Sequence, residues 1–139
     1  VGVRTSATAA AGTRRRRFDD RGSFSLELAT LVPVVLLLLL LSVQAGLWFH
    51  ARQVALDAAK QGVEAGRGRT ASPEQGAANA RAFLDQFGGS VRGASVSTAG
   101  SSSEQVRIEV SGSVATLIPG LTLDVTQHAQ GPRERWSTP

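Results

Sequence analysis

The 139-residue sequence contains no cysteine. Disulfide staples, thiolate metal sites and cysteine nucleophiles are therefore excluded. Histidine is nearly as scarce: His50 and His128 are the only two, too few for a histidine-rich metal centre. They are also far apart in sequence, and no nucleophile stands at a recognisable spacing from either. Nothing resembles a phosphate loop, because the glycines between Gly62 and Gly68 follow a helical pattern with no strand before it. The chain reads as a non-enzyme, with no cofactor and no metal.

Charge is sparse and unevenly placed. The formal net charge is +4. Residues 1–22 carry Arg4, Arg14, Arg15, Arg16, Arg17 and Arg21 against Asp19 and Asp20. From His50 onward, nine bases nearly balance eight acids. A nucleic-acid surface would need a basic face continuing the cluster Arg14 to Arg17, and none exists, so no nucleic-acid partner is expected.

Between those two regions lies the apolar material. Leu28 to Leu47 reads LATLVPVVLLLLLLSVQAGL, twenty residues without a charge. At about 1.5 Å per residue, such a helix covers the hydrocarbon thickness of a bilayer. Trp48 and Phe49 follow where amphipathic aromatic rings suit the headgroup level. Pro33 falls inside the span, where membrane helices tolerate it. Arginines flanking a span are retained in the cytoplasm, so Arg14, Arg15, Arg16, Arg17 and Arg21 place the N-terminus inside and the remainder outside. Two export readings compete with a permanent anchor. Val43-Gln44-Ala45 has the small residues of a signal-peptidase site, but the apolar run before it is too long. Arg15-Arg16-Arg17-Phe18 has twin-arginine spacing, but Asp19 and Asp20 stand where an apolar and a basic residue usually follow.

Glu27 is the one charge at the start of the apolar helix. A helix beginning near Ser25 would hold it in its first turns, where free N–H groups and the macrodipole favour an anion. The surrounding stretch Arg21-Gly22-Ser23-Phe24-Ser25-Leu26-Glu27 resembles the processing site of type IV prepilins and pseudopilins. In that family a membrane aspartic peptidase cuts after the glycine and leaves the apolar helix on the mature protein. The resemblance implies cleavage between Gly22 and Ser23, with Glu27 at mature position five. A carboxylate in low dielectric is an effective partner for the new Ser23 ammonium, and in assembled pilins that partner can belong to a neighbouring subunit, setting axial register.

With Pro33, Arg52-Gln53-Val54 and Ala58-Ala59-Lys60-Gln61-Gly62 added, about residues 20–66 are similar to TadE-type minor pilins of the tight-adherence (Flp, type IVb) system. The major Flp pilin is much shorter and has tyrosine where this chain has Leu28. The resemblance implies a pseudopilin of pilus assembly and secretion. Its partners would be a prepilin peptidase, other pilins or pseudopilins, the tight-adherence membrane machinery and the lipid bilayer. The competing reading is an unprocessed single-pass membrane protein whose outer domain binds an envelope partner.

No charge or turn signal stops the helix at Phe49, and Ala51 to Ala65 is alanine-rich with scattered charges, so one helix is expected from about Ser25 to Ala65. Small residues recur four apart at Ala58, Gly62 and Gly66, with Ala51, Ala55 and Ala59 as a second row. Such ladders let backbones approach closely, and the spacing predicts a helix-packing face. Ser72 as N-cap, Pro73 at the first position and Gln75 closing a capping box predict a second helix, ended at Gly88-Gly89. Period-two alternation then predicts three short strands at Val91–Thr98, Val106–Val110 and Leu121–Thr126. The expected fold is α+β and pilin-like: a long N-terminal transmembrane helix continuing outward, a short helix and a small three-stranded antiparallel sheet. Its divisions are a basic leader (1–22), a transmembrane helix (23–49), an extramembrane continuation (50–66), an outer α+β domain (67–129) and a flexible tail (130–139).

Overall fold

The computed structural model describes residues 2–3 and 20–135. The chain divides into two compact units, Val1–Leu36 and Leu37–Pro139. Element order is α1 (Asp20–Gly66), α2 (Pro73–Phe87), β1 (Val91–Ser97), β2 (Gln105–Val114) and β3 (Leu123–Pro132). This is the expected α+β arrangement, with one apolar helix long enough to cross a membrane.

Helix α1 begins five residues earlier than the Ser25 start expected from sequence. Gly22 and Ser23 read locally as breakers. Glycine costs only about 1 kcal/mol in a helix, however, and each added residue gains a hydrogen bond once a helix is nucleated. A strongly helical run therefore propagates backward through them. Hydroxyls within the apolar stretch are satisfied by its own backbone: Thr30 Oγ1 donates to the Glu27 carbonyl at 2.9 Å, and Ser42 Oγ to that of Leu38 at 2.8 Å. The most apolar window has a mean hydropathy of 2.6 and no buried residue. A core helix would bury such a face, whereas each leucine or valine left in water forgoes about 1.5–3 kcal/mol. By length, composition and exposure the segment is a candidate membrane span.

In the second unit, the end of α1, α2 and one face of the sheet enclose a common core. Ala51, Ala55, Ala58, Ala59 and Val63 come from α1; Ala77, Ala80 and Leu84 from α2; Val91, Val106, Ile108, Val110, Val114 and Val125 from the sheet. The strands run in the order β1-β2-β3, all antiparallel. Val110 pairs with Val96 on one side and Gln127 on the other, so alternate residues share the inner face. The outer face is polar, with Arg107, Glu109, Ser111, Asp124, Thr126 and His128.

Helix α2 is framed as its sequence predicts. The Ser72 hydroxyl accepts from the Gln75 amide at 3.3 Å, and the Gln75 side chain accepts from the Ser72 amide at 3.1 Å. Gly88 closes the helix, its amide donating to the Leu84 carbonyl at 2.7 Å. It does so at φ −85°, not in the left-handed region, and glycine suits the position because a Cβ would overlap the Leu84 backbone.

Two strands depart from their expected bounds. Strand β2 continues four residues past Val110, because Ser111, Gly112 and Ser113 break the apolar pattern without breaking the ladder. Strand β3 starts at Leu123 and runs to Pro132, so Gln130, Gly131 and Pro132 are paired with β2 and are not part of a free tail. The inner face of β3 ends in Ala129 and Gly131, residues too small to register as a hydrophobic pattern. Smallness is what the position requires: a Cβ on Gly131 would lie 2.9 Å from Val63 Cγ1 of α1.

Candidate functional site

The junction expected to carry processing lies in the first unit. Gly22 is in the opening turns of α1 and exposed, and a Cβ placed there would meet nothing within 4 Å. The fold itself does not demand glycine at this position. Glu27 is also exposed. Because α1 starts at Asp20, Glu27 stands two turns inside the helix, past the orphan N–H groups that were expected to stabilise it. Among the described side chains it makes no ion pair; the ion pairs there are Arg67–Glu64, Arg107–Glu109 and Arg135–Glu104. Arg14, Arg15, Arg16 and Arg17 lie outside the described residues, as do the side chains of Arg21 and Ser23.

The small-residue rows fall on the inward side of α1. Ala51, Ala55, Ala58 and Ala59 have no exposed surface. A Cβ on Gly62 would stand 2.9 Å from the Gly76 carbonyl oxygen, 3.1 Å from Ala80 Cβ and 3.1 Å from Ile108 Cγ2. One on Gly66 would stand 3.2 Å from the Ser72 carbonyl oxygen and from Val106 Cγ1. Gly76 answers from α2: a Cβ there would overlap the Gly62 carbonyl. The ladder therefore serves a helix crossing within one chain, and its third member, Gly76, was not singled out by the sequence pattern. The available signal was a glycine one turn inside an otherwise favourable helix.

Gln44 was also missed in this role. It is the buried polar side chain of α1, 4% exposed. Its Nε2 donates to the Ala115 carbonyl at 3.3 Å, and its Oε1 accepts from the Leu117 amide at 2.8 Å. One carboxamide thus clamps the start of the β2–β3 connection, just after β2. One turn further on, Trp48 Nε1 donates to the Asp124 carbonyl at 3.4 Å, and Arg52 lies over the Trp48 ring with Cζ 4.8 Å from its centroid. The clue was a carboxamide in an uncharged run, where a polar side chain needs a partner.

His50 and His128 are both exposed, and His128 stands opposite Glu109 on the outer sheet face. Asp124 and His128 are four residues apart on one strand, about 13 Å at strand rise, too far for direct contact. Among the described residues, no group of three or more His, Asp or Glu could hold a metal ion. An open depression of about 430 Å³ on the sheet, lined by Arg92, Ser111, Asp124 and Thr126 among others, has no histidine in its lining.

The chain thus combines an exposed apolar helix that is a candidate membrane span, a junction glycine that the fold does not need and an inward row of small residues. The model of the TadE-like protein family matches residues 22–64, a segment that opens at Gly22 and closes two residues before α1 ends. Over that segment, about a third of the chain, the sequence is similar to TadE-like proteins. Helix α2 and the sheet lie beyond the matched residues. No curated protein and no solved structure matches the chain.

Proposed function

We propose that this chain is a pseudopilin, or minor pilin, of tight-adherence pilus assembly. In this reading it is inserted with its N-terminus in the cytoplasm, trimmed between Gly22 and Ser23 by a prepilin peptidase, and joined to other pilins through Glu27. The family match that opens at Gly22 carries the reading. Two features of the junction support it. Gly22 has open space around it, so a requirement for glycine would arise from a peptidase subsite that accepts no bulk, not from packing. Glu27 has no ion-pair partner among the described side chains, so its carboxylate is available to a new Ser23 ammonium, on the same chain or a neighbour. The basic residues Arg14 to Arg17 and Arg21 hold the leader inside by the positive-inside rule.

The test is the N-terminal mass of the membrane-bound chain, with and without the co-resident peptidase. A chain starting at Ser23 only when the peptidase is present is the expected result. Gly22→Val should leave the precursor uncut in the membrane. Glu27→Ala should be cut normally and fail in assembly. A chain starting near Gly46 would reveal an export signal, and an uncut chain in both strains would leave a plain single-pass anchor.

A further inference from the structure

The β2–β3 connection, residues 115–122, is an exposed apolar segment placed against α1. Leu117 is 51% exposed and Leu121 is 37% exposed, with Ile118 half-buried between them. Pro119 and Gly120 form the centre of a tight turn, closed by the Leu121 amide donating to the Ile118 carbonyl at 3.3 Å. Gly120 takes φ +80°, the conformation that the third residue of a type II turn requires. The turn projects two leucines with no charged residue anywhere from Val114 to Leu123.

Its height along α1 is set by the Gln44 clamp. Leu38 lies six residues before Gln44, about 9 Å along the axis, and Trp48 four residues after it, about 6 Å the other way. The connection is thus level with the last turns of the uncharged run, not with the charged part of the helix. Leu37, Leu38, Leu39 and Leu41 on the adjoining turns are 46–58% exposed. Phe49, 59% exposed, packs edge-on against Trp48 with ring centroids 5.2 Å apart. Among the described residues, the ion pairs Arg67–Glu64, Arg107–Glu109 and Arg135–Glu104 lie at the end of α1, in β2, and between the β1–β2 turn and the segment after β3. Charged residues also border the connection: Arg92 and Asp124 pair with Ser113 on either side, and Arg52 lies over Trp48, so the uncharged surface is confined to the connection itself and the adjoining leucines.

We infer that the β2–β3 connection is a second membrane contact: Leu117, Ile118 and Leu121 enter the headgroup–acyl boundary beside α1, with Trp48 and Phe49 at the same interface. The inference rests on reading α1 as a membrane anchor and extends it. Continuity selects lipid as the occupant, since the loop is bonded to the very helix whose adjoining leucines need lipid. Insertion stops at the interface. The carbonyl of Ala115 and the amide of Leu117 are satisfied by Gln44, but the remaining irregular backbone needs water, which the hydrocarbon interior does not supply.

The chain has no cysteine, so single thiols report unambiguously. The full-length chain carrying Leu117→Cys, Leu121→Cys, Leu38→Cys or Ser103→Cys would be labelled with bimane and reconstituted in phosphatidylcholine vesicles. Nitroxide lipids quench from within the membrane, and iodide quenches from water. Leu117 and Leu121 are separate exposed sites, and an unchanged far-ultraviolet dichroism spectrum reports that each variant is folded. The expected result is that labels at 117 and 121 lose most of their emission to lipids with the nitroxide near the headgroup. The label at 38 should lose it to a nitroxide deep in the acyl chain, and the label at 103 only to iodide. Quenching at 38 with iodide access at 117 and 121 would overturn the loop contact and leave the anchor standing. Iodide access at 38 as well would overturn the anchor itself. Shielding at 117 and 121 that disappears as protein is diluted in lipid would overturn lipid as the occupant and assign the loop to a second copy.

Discussion

Between Leu28 and Leu41, α1 carries leucines and valines that are mostly 41–59% exposed, whereas Ala51, Ala55, Ala58 and Ala59 further along it have no exposure at all. Both stretches are apolar and both are helical. They differ in side-chain size, and size follows the surroundings. Lipid chains are fluid and accept bulk in any arrangement. A protein interior is packed at crystal-like density, and a helix that must lie close to another helix and a sheet can offer only alanine and glycine. Hydrophobicity alone would have merged the two stretches into one class, and residue volume separates them.

That comparison can be broken most sharply at Leu38. Leu38→Arg places a charge near the middle of the uncharged run, at a cost of about 2.5–3.5 kcal/mol. The variant should be depleted from the membrane fraction, measured by carbonate extraction, while Leu38→Ala stays in it. An unchanged membrane fraction for the arginine variant would mean that the stretch is not surrounded by lipid. The reciprocal change tests the packed stretch. Ala55→Leu adds bulk where Ala55 is fully enclosed and should destabilise the second unit by about 1–3 kcal/mol. Thermal unfolding of the reconstituted chain should show the loss, and Leu38→Ala should unfold like the parent. Ser72→Ala is the mildest of the three. It removes the N-cap acceptor of α2, worth about 1 kcal/mol, and should speed hydrogen exchange in the first turn of that helix without touching membrane retention.

Helix α2 was legible in the sequence almost to the residue, because Ser72, Pro73 and Gln75 act on their own neighbours and Gly88 terminates what they start. The β strands were less so. Alternation marks a strand only while the inner positions are large, and both β2 and β3 run on through small or polar inner residues: Gly112 under Val91, then Ala129 and Gly131 under α1. Their pairing is dictated by the partner strand, which no local window contains. The same holds for the site residues. Gly62 and Gly66 stood out by spacing, but their counterpart Gly76 and the clamp at Gln44 have meaning only across long stretches of chain, with Gln44 and Leu117 separated by 73 positions. Composition marked the anchor, whose most apolar window has no buried residue.

The core of the second unit joins the first element to the last, and this has a consequence for synthesis. Val63 meets Gly131 of β3, and Gln44 meets the segment just after β2. A growing chain therefore makes the alanine face of α1 long before the strands that cover it. Until Leu123 to Pro132 have emerged, β2 has an unpaired edge and α1 lacks the contact of Val63 with Gly131, although α2 and β2 already pack against it. Final closure must await the C-terminal strand, and an interrupted chain would present an open strand edge to any neighbour. Closure of this unit is thus completed by β3, which pairs with β2 and meets α1 at Val63.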